Sequence, residues 1–167
     1  KNISNNTFTN ITYTGVSNVT ILSVDRASGN SVIDFNHIEN IDGGNGLLRC
    51  LSFGTSVAAT SISCSNNIIK TASSAIGVTG ITSSTANAIT TNVNNNEIGF
   101  LSTTGASAAG MRFNSGQTVN VFKNKIYDIT VNNASAQLDG ISVSALATGN
   151  YNFHNNTIGN LFTPSAN

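Results

Sequence analysis

The side chains best suited to chemistry in this chain lie close together in one short segment. Asp34, His37, Glu39 and Asp42 supply three carboxylates and one imidazole. Carboxylate oxygens are the ligands that Ca²⁺ prefers, and a carboxylate near a histidine can carry out proton transfer. We therefore consider Asp34, Glu39 and Asp42 as candidate calcium ligands, and the four residues together as the best candidate for a catalytic cluster.

Two observations favour a structural role for this segment. The alternation of side chains along a strand places Asp34 and His37 on opposite sides of a predicted corner at Asn36, so they do not converge. Residues 42–46 (Asp-Gly-Gly-Asn-Gly) match one part of a calcium-binding nonapeptide, but they occur once, and such sites need stacked copies. We therefore predict a turn at 42–46, with no catalytic residue, no cofactor and no metal; a calcium site is the alternative.

A repeat of about 30 residues positions these side chains. Two sets of equivalent positions recur in it. The first is a pair of residues whose second member is large and apolar. The second is an asparagine with an apolar residue three positions before it and another two positions after it. A fixed period of this size predicts a solenoid, in which each repeat buries its apolar face against its neighbours. The pairs are Thr20-Ile21, Cys50-Leu51, Gly80-Ile81, Gly110-Met111 and Gly140-Ile141, and the asparagines are Asn6, Asn36, Asn67, Asn96, Asn124 and Asn156.

The pattern inside a repeat predicts strands. Segments such as 51–53 (Leu-Ser-Phe) and 111–113 (Met-Arg-Phe) alternate apolar and polar residues, and no segment keeps a helical spacing. The sequence thus predicts an all-β fold, a parallel β-helix of about five to six coils, as a single domain over 1–167. We expect the asparagines to bond to one another from coil to coil, and to turn the corner in the left-handed conformation that asparagine tolerates.

Residues 3–11 (Ile-Ser-Asn-Asn-Thr-Phe-Thr-Asn-Ile) and 153–161 (Phe-His-Asn-Asn-Thr-Ile-Gly-Asn-Leu) carry both apolar rows and the asparagine. They resemble the repeat of the pectate-lyase-like parallel β-helix superfamily, as in bacterial surface and adhesin β-helix proteins. The resemblance covers essentially the whole chain and implies a right-handed helix. It does not select an activity, because polysaccharide lyases, hydrolases, phage tailspikes and adhesins share the repeat.

The outward positions of adjacent coils do not bring acidic side chains together. No two acids fall beside each other; Glu39 falls beside Lys70 and Glu97 beside Lys125. Opposite charges on neighbouring strands are ordinary cross-strand pairs, each worth a fraction of a kcal/mol. We therefore predict two surface ion pairs here.

The two cysteines occupy different kinds of position. Cys64 stands in an apolar row, whereas Cys50 stands where later coils have glycine. Because a disulfide needs side chains that face each other, we predict two unpaired thiols, with a disulfide as the alternative.

Composition limits the classes of partner. Seven Lys and Arg balance seven Asp and Glu, and charged residues make up 8% of the chain, which argues against nucleic-acid binding. No apolar run is long enough to span a membrane. About two-fifths of the residues are Asn, Ser or Thr, which favours a secreted bacterial protein at the cell surface. The chain opens in mid-repeat without Met or a leader, so we expect a fragment of a longer β-helix.

These observations favour a non-catalytic structural segment of an extracellular surface fibre, stalk or adhesin. Its expected partners are further coils or a second copy at the open coil ends, and cell-surface polysaccharide. The alternative is a polysaccharide-binding or polysaccharide-degrading β-helix whose active coils lie elsewhere or in the coil that contains Asp34 and Asp42. A phage tailspike, which would show threefold symmetry, is the third hypothesis.

Overall fold

Parallel strands make up most of the chain. This computed structural model describes residues 1–84, 90–114, 118–144 and 149–164, and their side chains except at 26, 28 and 55–58. The described residues contain no helix. The strands are β1 (Asn2–Ser4), β2 (Thr7–Thr12), β3 (Val19–Asp34), β4 (His37–Asp42), β5 (Leu47–Ser65), β6 (Ile68–Ser74), β7 (Gly77–Ser84), β8 (Thr90–Asn94), β9 (Glu97–Thr103), β10 (Ser107–Phe113), β11 (Thr118–Phe122), β12 (Lys125–Val131), β13 (Gln137–Val143), β14 (Asn150–His154) and β15 (Thr157–Phe162).

The strands form two sheets in which each strand pairs with its equivalents in the coils before and after. Sheet B has six strands in the order β15-β12-β9-β6-β4-β2. Sheet A has nine, in the order β13-β10-β7-β5-β8-β11-β14, with β3 paired to both β1 and β5. All these pairs are parallel. The chain is therefore a parallel β-solenoid of about five coils, roughly 30 residues apart, and the predicted fold class is confirmed.

The asparagine register predicted from the sequence holds in every coil. The apolar residues that flank the asparagines pair with one another from coil to coil, and those of the central coils are fully buried. Burial of one such side chain contributes about 1.5 to 3 kcal/mol, so the rows are a main source of stability. The two rows are Ile3, Ile33, Cys64, Val93, Val121 and Phe153, and Phe8, Ile38, Ile69, Ile98, Ile126 and Ile158.

The other predicted register is wrong in the first coil. Leu22, and not Ile21, pairs with Leu51, while Ile81 and Met111 follow in the same row as predicted. The cause is the connection between β2 and β3, which is one residue longer than the equivalent connection in the next coil. An unbroken spacing in the sequence therefore concealed an insertion.

The left-handed corner also lies elsewhere than predicted. The residue before each ladder asparagine, and not the asparagine itself, has the positive φ; Asn95 has φ 55° and Phe35 has φ 52°. A second left-handed corner follows four residues after each ladder asparagine, for example at Phe100 with φ 55°. The ladder asparagine instead keeps ordinary backbone geometry, which leaves its side chain free to bond along the solenoid.

The glycine row, made of Gly80, Gly110 and Gly140 on sheet A, lies close against isoleucine side chains of sheet B. A Cβ added to Gly110 would lie 2.5 Å from Cγ2 of Ile126 and 2.7 Å from the carbonyl oxygen of Gly140. Gly80 is confined in the same way by Cγ2 of Ile98, at 2.7 Å. Glycine is therefore required here by space rather than by backbone conformation.

Candidate functional site

The asparagine ladder is the most extensive polar feature of the molecule. Each side-chain amide donates to the side-chain oxygen of the next asparagine, so five bonds link six residues through all the coils, and the predicted ladder is confirmed. The Nδ2–Oδ1 distances are 2.8 Å from Asn6 to Asn36, 2.9 Å from Asn36 to Asn67, 2.9 Å from Asn67 to Asn96, 3.0 Å from Asn96 to Asn124 and 2.9 Å from Asn124 to Asn156.

Every polar group of an interior asparagine side chain is satisfied. Asn96 Nδ2 donates to Oδ1 of Asn124 and to the carbonyl oxygen of Cys64, both at 3.0 Å. Its own Oδ1 accepts from Nδ2 and from the backbone N–H of Asn67, at 2.9 and 3.0 Å. Asn96 is 1% exposed. Because buried polar groups are costly unless they are hydrogen-bonded, this saturation makes the ladder a stabilising element.

The acidic residues of the second coil do not converge. Asp34 bonds to the hydroxyl of Ser4, and Glu39 Oε2 lies 3.0 Å from Nε2 of His37. Among the described residues, no three His, Cys, Asp or Glu side chains come together as a metal site. The candidates Asp34, Glu39 and Asp42 are thus held by separate partners rather than grouped around one ion.

The segment 42–46 is the predicted turn. Asp42 Oδ1 accepts a bond from the backbone N–H of Gly44 at 3.0 Å, and Gly44 has φ 58°, a conformation in which glycine is unstrained. The Asp42 carboxylate therefore stabilises its own turn, as aspartate commonly does.

In a charged cluster on the outer face of sheet B, one of the two predicted ion pairs has a different partner. Glu97 Oε1 lies 3.0 Å from Nζ of Lys70 and 3.8 Å from Nζ of Lys125. The Glu97–Lys125 pair is confirmed, but Lys70 pairs with Glu97 and not with Glu39, although Glu39 is its strand neighbour. Long side chains reach diagonal positions as well as directly opposite ones, and Glu39 is held by His37.

Tyr127 completes this cluster. Its hydroxyl donates to Glu97 Oε1 at 2.7 Å, its ring meets Phe100 edge-to-face at 5.3 Å, and Lys125 Nζ lies 4.5 Å from the ring centre. The hydrogen bond from Tyr127, followed by Lys70, lowers the pKa of Glu97, and the bond to Glu97 raises the pKa of Lys70. The pKa of Tyr127 is raised, chiefly by its burial. Each shift favours the protonation state already present at neutral pH, so the cluster is poised for stability rather than for proton transfer.

The cysteines are unpaired and buried, as predicted. Burial raises the pKa of Cys50 to about 12 and also raises that of Cys64, where the charge of Asp34 adds to the effect. Thiolate is the reactive form of cysteine, so both thiols act as small core residues.

Polar residues line two surface grooves in the part of the chain that the structure describes. The larger, of about 370 Å³, crosses the turns that follow sheet B, and we call it the hydroxyl groove. The other, of about 320 Å³, lies on sheet A, and we call it the arginine groove. The hydroxyl groove is lined by residues that include Asp42, Asn45, Ser73, Ser102, Thr104 and Asn132, and the arginine groove by residues that include Asp25, Arg49, Ser52, Thr82, Ser84 and Asn114.

Sequence analysis missed the hydrogen bond from Tyr127 to Glu97 and a second, outer asparagine ladder. Asn120 Nδ2 donates to Asn92 Oδ1, and Asn152 Nδ2 to Asn120 Oδ1, both at 2.8 Å. The signal was available, because these asparagines stand four residues before Asn96, Asn124 and Asn156. Tyr127 could have been found by comparing outward rows diagonally as well as directly.

Comparison with protein-family models, with curated proteins and with solved structures found no match for the chain. Its function is therefore argued from its own residues. No helix among the described residues has the length and apolar character needed to cross a membrane.

Proposed function

We propose that this chain is a non-catalytic structural segment of an extracellular bacterial surface fibre, stalk or adhesin. The observation that carries the proposal is the asparagine ladder, which runs through every coil with its interior amides saturated. The apolar rows beside it are equally continuous. The outward side chains with shifted pKa values form an ion-pair network around Oε1 of Glu97. The features shared by all coils therefore serve the stiffness of a rod.

The exposed edges of the outer coils support extension of this rod. Among the described residues, Asn156 Nδ2 donates to the carbonyl oxygen of Val121 but to no further asparagine, and Asn6 Oδ1 accepts no bond. The two edges are complementary, since one offers a donor and the other an acceptor in the same row. The partner in this proposal is another β-solenoid coil, from a longer chain or from a second copy, and a head-to-tail contact of this kind builds open filaments.

Particle length measured by analytical ultracentrifugation and electron microscopy tests this proposal. We expect elongated particles that grow with protein concentration. Ile158, at the edge, is 45% exposed; Ile158→Asp places a charge in its apolar row and should stop the growth, whereas Phe35→Asp, on the outer surface, should leave it unchanged. Growth at the edge would be contradicted by compact particles whose size changes neither with protein concentration nor with Ile158→Asp.

The hydroxyl groove favours a second candidate, a polysaccharide-binding β-helix. It begins at Asp42 in the second coil and continues over Ser73, Ser102 and Asn132 of later coils. A carboxylate, hydroxyls and an amide in one groove suit the hydroxyl pairs of a glycan chain. Degradation would require catalytic groups beyond these. Kinship with the right-handed, pectate-lyase-like β-helices is part of this second candidate and is supported by the repeat itself.

Titration of the ¹⁵N-labelled protein with neutral and acidic oligosaccharides tests the second candidate. Binding should perturb the amide signals of Ser73, Ser102 and Asn132, and Asp42→Asn should weaken it by roughly tenfold. Glu39→Gln, on the same coil but outside the groove, is the matched control. Absence of saturable shifts at these residues would exclude a glycan site in the hydroxyl groove.

A further inference from the structure

Among the described side chains on the outer face of sheet A, two arginines have no carboxylate partner. Arg49 on β5 and Arg112 on β10 lie on the two sides of β7 and line the same small cavity of about 20 Å³. Neither forms an ion pair or a hydrogen bond with any of the described residues. Two guanidinium groups that share one cavity repel each other unless negative charge lies between them.

The strand between the arginines contributes a buried hydroxyl without a partner. Arg112 is the strand neighbour of Thr82, and Arg49 that of Thr79. Thr82 is 5% exposed, and its Oγ1 has no hydrogen bond among the described residues. It also lines the arginine groove together with Arg49. A buried hydroxyl is normally hydrogen-bonded, so a hydroxyl without a partner, next to Arg112 and in one groove with Arg49, points to a ligand.

The acids of this face are already engaged within their own strands. Asp25 Oδ2 accepts from the hydroxyl of Ser23 at 3.0 Å, and Asp139 Oδ2 accepts from Nε2 of Gln137 at 2.7 Å. The guanidinium N–H groups can only donate, and the unpartnered Thr82 hydroxyl can donate as well. A complementary ligand must offer several acceptor atoms and negative charge.

We propose that Arg49, Arg112 and Thr82 form a binding site for a tetrahedral oxyanion group, a sulfate or a phosphate. The planar fork of each guanidinium presents paired donors to two oxygens of such a group, and the Thr82 hydroxyl supplies a further donor. The group is a free ion or an ester on a larger polyanion. The site uses outward side chains only, so it goes beyond the structural role and does not depend on it.

Side-chain Nε–H signals of arginine, followed by NMR in ¹⁵N-labelled protein, test the proposal. Sodium sulfate and sodium phosphate should produce saturable shifts at Arg49 and Arg112, and sodium chloride at equal ionic strength should not. Arg49→Gln or Arg112→Gln should weaken binding by roughly tenfold, and Arg49→Lys, which keeps the charge but loses the fork, by a smaller factor. Thr82→Val should weaken binding, and Thr82→Ser should restore it.

Lys125→Gln, on sheet B, is the control for loss of one positive charge and should leave the affinity unchanged. Dextran sulfate and unmodified dextran identify the source of the anion. Tighter binding per sulfate of the polymer indicates an ester on a polyanion, and equal binding indicates the free ion. Equal shifts with chloride, or equal weakening by Lys125→Gln and Arg49→Gln, would overturn the site. Assembly at the coil edges is measured separately and is unaffected by that result.

Discussion

At the scale of single residues, two adjacent positions have different roles at each corner that contains a ladder asparagine. The first adopts the left-handed conformation that turns the chain, and the second bonds along the solenoid. Asparagine suits both tasks, because it tolerates positive φ and also carries a donor and an acceptor. The first position is Asn5, Phe35, Asn66, Asn95, Lys123 or Asn155, in coil order.

Replacement of a ladder asparagine should be far more destabilising than replacement of the asparagine two residues before it, at the end of β8. Asn96→Ala leaves buried groups of Asn67 and the carbonyl of Cys64 without partners and should lower the free energy of unfolding by about 2 to 4 kcal/mol. Asn94→Ala should change it by less than about 0.5 kcal/mol, because the Asn94 side chain makes no bond among the described residues. Urea unfolding measures both; equal losses would count against the ladder.

A residue with a bulky side chain at a left-handed corner offers a stabilising substitution. Phe35 has φ 52° and is 57% exposed, whereas most other coils have asparagine at this position. Phe35→Asn should raise the free energy of unfolding by about 0.5 to 1 kcal/mol, because asparagine adopts this conformation with less strain. Phe122→Asn, outside the corners, should give no gain. A loss at Phe35 would show that its ring contributes more than its backbone costs.

At the scale of strands, ion pairing and side-chain packing involve residues from different strands. On sheet B, Glu97 of β9 draws Lys70 from β6 and Lys125 and Tyr127 from β12, so one carboxylate connects three coils. Between the sheets, the glycine row leaves room for the isoleucines opposite. Both arrangements depend on residues from different strands, and each yields a prediction.

The Glu97 cluster should make stability depend on pH in the acid range. The pKa of Glu97 is lowered, so its contribution is fully present above the unfolded value of about 4.3 and is lost as the pH falls through the folded value. Glu97→Gln should therefore cost about 1 kcal/mol at neutral pH and progressively less below about pH 4. Tyr127→Phe should move the acid unfolding midpoint of the wild-type chain to higher pH. A pH-independent difference between wild type and Glu97→Gln would refute this origin.

Toward alkaline pH the same cluster predicts a second loss. The raised pKa values of Lys70 and Tyr127 give contributions that are present below their unfolded values, near pH 10, and are lost as the pH rises through the folded values. Thermal unfolding from pH 8 to 11 should show the wild-type melting temperature falling toward that of Glu97→Gln.

The close approach at the glycine row should exclude even a methyl group. Gly110→Ala forces its Cβ against Ile126 and should cost about 1 to 3 kcal/mol. Gly159→Ala is the control, since nothing lies within 4 Å of its added Cβ and its φ is not positive. Calorimetry should separate the two variants clearly; similar melting temperatures would mean that the sheets can move apart at this row.

At the scale of the whole molecule, each coil is stabilised by the coils on either side. The inward residues of the central coils are almost completely buried, while Phe153, Ile158 and Leu161 of the last coil are 38 to 45% exposed. A stack of this kind has stability that is close to a sum of nearest-neighbour terms. The outer coils, with one neighbour each, are the weakest.

Amide hydrogen exchange should reflect this gradient. Protection should be highest in β7, β9 and β10 of the central coils and lowest in β1 and β15 at the edges. If filaments form by stacking, protection at β1 and β15 should rise with protein concentration while that of β9 stays constant. Uniform protection at low concentration would indicate that the stack unfolds as one unit.

Much of the fold could be predicted from the amino-acid sequence. The solenoid, its asparagine ladder and its apolar rows follow from a repeat that leaves only one way to bury the same positions in every coil. The turn at 42–46 and the unpaired state of the two cysteines also followed from local residue types. These features depend on the spacing of residues along the chain and on the types of adjacent residues, both of which the sequence shows directly.

The remaining features were decided by the tertiary structure. The one-residue shift that brings Leu22 to Leu51 depends on how a connection is accommodated between two sheets. Lys70 pairs with Glu97 because long side chains reach across neighbouring strands. Arg49, Arg112 and Thr82 lie on one face of sheet A because three coils are stacked in register. Distances of this kind exist only once the coils are stacked, because residues some 30 positions apart become neighbours only through pairing of their strands.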